Sequence, residues 1–284
     1  MASENPLENN SDLSGFKYAW YKEGHYTITT KSYLTLGRGK ANETEIEEDW
    51  VVKPLEYGHI AIQSSTQKYI KADGQMKPFY EILEKVNKAT DTLKLFLAPD
   101  KSIQKVENKA EVIAKWQEIK KDLRFYELVR SSYEEFINAY DKEFNNIDRN
   151  ITHNLLYQII FYPLPVFNEE DITFKIPDRT VLSTLFPGQT IEYSSEFEIS
   201  KLPEKGYKVL LKGKGKNKAD EFNTIYERNY QKTLKIPMDY DYHLEGEYIY
   251  NEDSVLSEIM FHVKEQLNAE MLYVCRYHVK LNKP

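Results

Sequence analysis

Apolar positions are spaced by two at both ends of the chain and by three and four in its middle. Phe16, Tyr18 and Trp20 alternate with Lys17, Ala19 and Tyr21, and Tyr26, Ile28, Thr30, Ser32, Leu34 and Leu36 keep the same period. A period of two puts one set of side chains on one sheet face. Gly24 and the run Gly37–Arg38–Gly39 read as turns. Further strands are expected over Thr44–Lys53 and His59–Ser65, separated by Pro54 and by Tyr57–Gly58. Pro78, Phe79, Ile82, Leu83 and Val86 fit a short helix that starts at the proline. Leu93, Leu95 and Leu97 alternate, and Pro99–Asp100–Lys101–Ser102 turns the chain into Ile103 and Val106 as a hairpin.

The period changes at Asn108, which stands three residues before Glu111 in the manner of a capping box. Val112, Trp116, Ile119, Leu123, Tyr126, Val129, Tyr133, Ile137, Tyr140 and Phe144 then recur at spacings of three and four. This predicts a long amphipathic helix from Lys109 to about Phe144, roughly 55 Å long if unbroken. A second helix, Ile151 to Phe161, is expected after Asn150, with Pro163 ending it. Strand patterning returns from Asp171. It includes Ile172, Phe174 and Ile176, then Ile191 to Ile199 after the Pro187–Gly188 turn, and the short stretch Val209–Leu211. Thr224–Ile236, Tyr240–Leu244, Tyr248–Tyr250, Val255–Val263 and Met271–Leu281 follow, with turns at Gly246 and Asn251–Asp253.

The expected fold is therefore α+β: a curved antiparallel β-sheet of meander type with an inserted long amphipathic helical segment. Residues 1–14 read as a flexible tail, 15–107 as the N-terminal strands and 108–162 as the helical insertion. Residues 163–284 complete the same sheet.

Composition narrows the function classes. With 284 residues the chain has ample length for a core. A formal net charge of -7 argues against a nucleic-acid footprint, which needs a basic face. The single cysteine, Cys275, permits no internal disulfide. The opening MASENPLENNSDLSG lacks the basic and apolar regions of a signal peptide, so the chain as written is expected in the cytoplasm, or as an exported mature form. The longest apolar patch, Leu155 to Val166, is too short and too interrupted to span a membrane.

Three segments carry a resemblance. They are YAWYKEGHYTITTKSYLT (18–35), LKLFLAPDKSIQKVENKAEVIAKWQEIKKDL (93–123), and LFPGQTIEYSSEFEI (185–199) with the closing strands of 240–281. Together they resemble a set of β-rich proteins found mainly in Bacteroidota, many of which look like exported lipoproteins. The resemblance implies a first hairpin, then a hairpin running into a long helix, and supplies no activity.

Candidate chemistry is sparse. Asp239, Asp241 and His243 alternate on one face of an expected strand, and two carboxylates with an imidazole there suit a divalent metal. The same pattern describes a solvent face. The loop Lys212–Gly213–Lys214–Gly215–Lys216–Asn217–Lys218 would make an anion nest or merely a soluble turn. Cys275 lies on an apolar face, where a thiol is inert, with His262 as its one conceivable partner from a neighbouring strand. Acidic clusters at Glu43–Asp49 and Glu169–Asp171 offer paired carboxylates, or solvated runs beside turns. No Gly-x-Ser-x-Gly elbow is present. On the long helix, Trp116, Tyr126, Tyr133 and Tyr140 form an aromatic stripe with Phe125, Phe136 and Phe144. It either packs on the sheet or docks a partner.

From these features the expectation is a non-enzymatic protein that binds or assembles with a protein partner, without catalytic residues or cofactor. Adaptor, complex component and toxin-neutralising partner all fit. The alternative is a carrier of an apolar small molecule or lipid held between sheet and helices. A third reading is an enzyme whose site is assembled from distant strands.

Overall fold

The structure is a computed structural model that describes residues 23–37, 39, 41–65, 67–71, 77–123, 133–162, 177–203, 206–216 and 219–283. The expected tail, the strand around Phe16–Trp20, the strand Ile172–Ile176 and Glu169–Asp171 lie outside them.

Among the described residues twelve strands form one antiparallel sheet. They are β1 (Gly24–Leu36), β2 (Asn42–Pro54), β3 (His59–Ser64), β4 (Lys68–Lys71), β5 (Thr92–Leu97), β6 (Ile103–Val106), β7 (Arg179–Leu182), β8 (Thr190–Lys201), β9 (Gly206–Gly215), β10 (Asp241–Asn251), β11 (Leu256–Asn268) and β12 (Met271–Lys283). Their order is β6-β5-β3-β2-β1-β12-β11-β10-β9-β8-β7, with β4 paired to β2. The two ends of the chain meet at the centre, where Ile28 faces Val279 and Ser32 faces Cys275 across β1 and β12. A sheet built from both ends, as the patterning implied, follows from this one pairing.

The period of two decides which face is covered. Tyr26 and Ile28 of β1, Trp50 and Val52 of β2, Leu244 and Tyr248 of β10, and Cys275 and Val279 of β12 are buried together. Helices cover this face: α1 (Lys77–Asn87), α2 (Lys109–Leu123), α3 (Tyr133–Asn145), α4 (Ile147–Thr152) and α5 (Leu155–Ile160). Their buried residues Ile82, Val112, Trp116, Ile151 and Ile159 join the same core. A second cluster sits under α6 (Ala219–Tyr226), which runs on through a π-helical turn, Glu227–Gln231, into Lys232–Leu234.

Four expectations are corrected. First, the long helix is two helices folded back on each other. Trp116 stacks on Phe144 at 4.8 Å, although an unbroken helix would separate residues 116 and 144 by roughly 40 Å. The two arms are Lys109–Leu123 and Tyr133–Asn145, and residues 124–132 lie outside the described residues. Periodicity missed the fold-back because both arms bury the same stripe. Second, the expected strand Thr224–Ile236 is helical as far as Leu234. Phe222, Tyr226 and Leu234 are buried with Tyr230 packed beside them, a spacing of four that β-favouring residue types disguised. Third, Gly246 is no turn: β10 runs through it. A Cβ there would come 2.5 Å from Phe261 Cδ2, so the glycine makes room for the ring. Fourth, the expected helix Ile151–Phe161 is not one helix: Ile151 and Thr152 end α4 and Leu155–Ile160 form α5, with Asn154 as the cap between them. Its Oδ1 accepts from the backbone N–H of Leu156 at 3.0 Å.

Asn108 departs from a simple capping box as well. Its Oδ1 accepts from the Lys94 backbone N–H at 2.9 Å, and its Nδ2 donates to the Thr92 carbonyl at 3.0 Å. The side chain ties the helix start to β5.

Candidate functional site

Between the covered face and the helices lies a cleft of about 450 Å³. Its floor comes from the sheet: Thr30 of β1, Ile46, Glu48 and Trp50 of β2, and Tyr277 of β12. These are the inward positions of three neighbouring strands, fixed by the β1–β2 and β1–β12 registers. Its roof comes from α4 and α5, through Ile151, Leu156 and Tyr157. The Asn154 cap starts α5 where Tyr157 meets Trp50, ring centroids 4.9 Å apart. The rim is polar, with Ser65, Asn87 and Lys88 exposed and Glu84, Thr90 and Asp91 half-buried. Apolar and aromatic groups thus lie deep and polar groups lie at the mouth.

Glu48 is the exception. It stands among the deep groups and is only 8% exposed. The Trp50 indole N–H donates to its Oε2 at 2.9 Å. Burial pushes its carboxyl above the usual carboxylate value, against the opposing hydrogen bonds from Trp50 and Gln67. Among the described residues no lysine, arginine or histidine lies within 4.0 Å of it. The Gln67 carbonyl oxygen accepts from Asn87 Nδ2 at 2.8 Å, which leaves its amide N–H groups for Glu48.

A smaller cleft of about 170 Å³ meets the first at Asn154 and Tyr277. Leu155, Leu182, Val263, Tyr242, Tyr273 and Glu265 help to line it. Glu265 is 1% exposed. It accepts from the Ser183 hydroxyl, from the Thr184 N–H at 2.9 Å and from the Leu185 N–H at 3.3 Å. Tyr242 Oη is buried with no hydrogen-bond partner among the described residues. Burial drives the hydroxyls of Tyr157, Tyr242, Tyr273 and Tyr277 upward, so they stay neutral donors.

The opposite face of the sheet carries a more open depression of about 660 Å³, lined by Lys31, Lys212, Met260, His262, Arg276 and others across six strands. Some of its charges are paired. Lys31 pairs with Glu45 at 3.0 Å, and at the margin His278 pairs with Glu258 at 2.6 Å and Lys208 with Glu247 at 2.6 Å. It is larger, but it has no roof and the interlayer cleft does. Enclosure, which strips water from a ligand, favours the cleft.

The sequence candidates fall elsewhere. His243 Nε2 lies 2.7 Å from Asp241 Oδ1, and Lys264 lies 3.6 Å from Asp241 Oδ2. Asp239 precedes the strand and is tied by its backbone N–H to the Leu267 carbonyl at 2.6 Å. No group of three metal-ligating side chains exists among the described residues. The register sets Lys214 and Lys264 on either side of His243, which disfavours a cation there. Lys212–Gly215 of the Lys212–Lys218 loop belong to β9, and residues 217–218 lie outside the described residues. Cβ atoms on Gly213 and Gly215 would come 2.6 Å from Leu244 Cδ1 and 2.9 Å from Tyr242 Cβ, so the glycines serve packing and not an anion nest. Cys275 is fully buried and burial raises its thiol pKa. His262 faces Arg276 in register, on the other side of the sheet from Cys275. Trp116 is fully buried against Tyr140 and Phe144, and Tyr133 donates to the Lys120 carbonyl at 3.0 Å. These rings pack the interior of the helical hairpin, while Tyr126 lies outside the described residues.

Glu48 was concealed inside the acidic run Glu43–Asp49. Glu43 pairs with Lys71, Glu45 with Lys31 and Glu47 with Lys68, while Asp49 accepts from Thr27. Those four point outward. Glu48 has the parity of Ile46 and Trp50, which is the signal that marks it as inward.

No family model and no curated protein matches the chain. No described helix is long and apolar enough to cross a membrane. Among solved structures the chain is similar to a LolA superfamily protein from Nitrosomonas europaea, at 7% identity and a TM-score of 0.23, over 100% of this chain and 95% of that one. It is also similar to lipovitellin, in a structure concerned with its lipid–protein interactions, at 7% identity and a TM-score of 0.47, over 94% of this chain. The chain spans 26% of that lipovitellin chain.

Proposed function

We propose that this protein binds an amphiphilic small molecule or lipid in the cleft between sheet and helices. One observation carries the reading: a roofed cleft of about 450 Å³ with aromatic and aliphatic groups deep and polar groups at its mouth. That volume lies in the range of small-molecule sites, roughly 300–1,000 Å³. The gradient from apolar floor to polar rim matches a molecule with a tail and a head. A cleft of this size between two layers leaves room for a small molecule. Of the aromatic stripe that would serve a protein partner, Trp116 and Phe144 are buried and Tyr140 packs against Trp116 inside the helical hairpin. Lipid contact is a property stated for lipovitellin, and the proposal for this chain rests on its own cleft.

The test is equilibrium binding of a dansyl-labelled undecanoyl chain, with native mass spectrometry of the purified protein. Saturable one-to-one binding is expected, or a co-purified amphiphile of equal stoichiometry. Thr30→Trp fills the floor of the cleft and should weaken binding at least about tenfold while leaving the melting temperature within a few degrees. Absence of saturable binding together with a ligand-free mass spectrum would overturn the reading.

A further inference from the structure

We infer that the ligand of this cleft carries a cationic head, a primary or quaternary ammonium, which docks against Glu48 beside the rings of Trp50, Tyr157 and Tyr277. This rests on the reading of the cleft as a ligand site and names the class of head group it selects.

Glu48 is a carboxylate with 92% of its surface removed from water, by its 8% exposure, on the wall of a roofed cleft. A buried charge is costly unless it is paired. Its described partners, the Trp50 indole and the Gln67 amide, are neutral. The nearest charge acting on it is another carboxylate, Asp49, which adds to the negative field. The lysines near the cleft are committed elsewhere, Lys88 to Glu84 at 4.0 Å and Lys115 to Asp91. A cation entering the cleft would supply the missing charge and favour the ionised form of this carboxyl, which burial alone disfavours.

The rings argue in the same direction. Trp50 and Tyr157 meet at 4.9 Å with a 39° tilt, and Tyr277 lines the same space. Aromatic faces attract cations, tryptophan best, and the attraction grows when water is excluded. A carboxylate beside several rings is the chemistry that recognises an ammonium. An anionic head would meet Glu48, which no described cation offsets, while Glu84 and Lys88 at the rim pair with each other. A neutral head would gain only hydrogen bonds at the rim.

Isothermal titration with three twelve-carbon amphiphiles below their micelle concentrations separates these outcomes. The probes are dodecyltrimethylammonium, dodecyl maltoside and dodecyl sulfate. The full-length protein should bind the ammonium at least about tenfold more tightly than the maltoside, and the sulfate most weakly. Glu48→Gln should bring the ammonium within about threefold of the maltoside. Gln67→Lys supplies the missing cation internally and should remove the same preference with Glu48 still in place. It guards against a Glu48→Gln chain that does not fold. Equal binding of ammonium and maltoside by the unaltered protein would overturn the inference and leave the cleft reading standing. So would a preference that survives either variant. Failure of all three probes to bind would remove the cleft reading, and the inference with it.

Discussion

The indole N–H of Trp116 donates to Asp141 Oδ1 at 2.6 Å across 25 residues of chain. Lys120 reaches the same carboxylate at 3.0 Å. This triangle locks α2 against α3, with the fully buried Trp116 ring stacked on Phe144. Trp116→Ala should therefore cost about 3–5 kcal/mol by urea denaturation, the range for emptying a core aromatic site. Trp116→Phe keeps most of the packing and loses the donor, so its cost should be smaller. A change below half of one kcal/mol for the alanine variant, about a twofold change in the folding equilibrium, would show that the hairpin contact contributes nothing.

Gly246 stands opposite Phe261 in the β10–β11 register. A Cβ would sit 2.5 Å from one ring carbon and 3.3 Å from Tyr248 Cε2, with both rings buried. Gly246→Ala should destabilise by about 1–3 kcal/mol, as overpacking does. Phe261→Leu alone should also destabilise. The double variant should cost less than the sum, because the smaller side chain yields the space the methyl needs. Strict additivity in a double-mutant cycle would show that the ring and the glycine are not coupled.

The sheet was readable in residue spacing where its two faces differ, as in β5 and β8, which alternate cleanly. The helical hairpin was not readable as a hairpin, since Trp116, Tyr140 and Phe144 continue one stripe whether the chain is straight or folded. Gly213, Gly215 and Gly246 looked like turn signals. Their reason is the side chain across the ladder, Leu244, Tyr242 or Phe261, which only pairing reveals. Part of the candidate site was legible: Glu48 is out of phase with Glu43, Glu45 and Glu47 and in phase with Ile46 and Trp50. The roof was not, because Tyr157 is more than a hundred residues away from Trp50 and nothing local brings them together.

Cys275 is fully buried between Tyr273 and Tyr277 on the covered face, and burial holds its thiol above the ordinary value. Thiolate is the reactive form, so the folded protein should react with a thiol-specific disulfide reagent only as it opens. Labelling followed by absorbance should be slow in native buffer and complete within mixing time in strong denaturant. Rapid native labelling at neutral pH would contradict the burial of this strand.

The buried carboxyl of Glu265 gives a pH dependence with a definite sign. Burial raises its pKa above the ordinary 4.5 despite donation from Ser183, Thr184, Leu185 and Tyr240. The folded state therefore keeps a proton that the unfolded state has already released. Between the two values, stability falls as pH rises. The contribution is fully present below the ordinary value and is lost once pH has passed the raised one. Glu48 acts in the same direction. Asp141, Glu43 and Glu107 are shifted downward, so they act below their ordinary values, where acid removes stability. The two groups of carboxyls separate by pH window. Glu265→Gln deletes the first contribution at this site and keeps the shape. Urea midpoints measured from pH 4.5 upward should show the advantage of the unaltered protein over Glu265→Gln to be largest at the acid end. That advantage should shrink toward neutrality. An advantage that grows with pH would mean that the Ser183 hydroxyl and the backbone N–H groups outweigh burial, and that Glu265 is held as a stabilised anion.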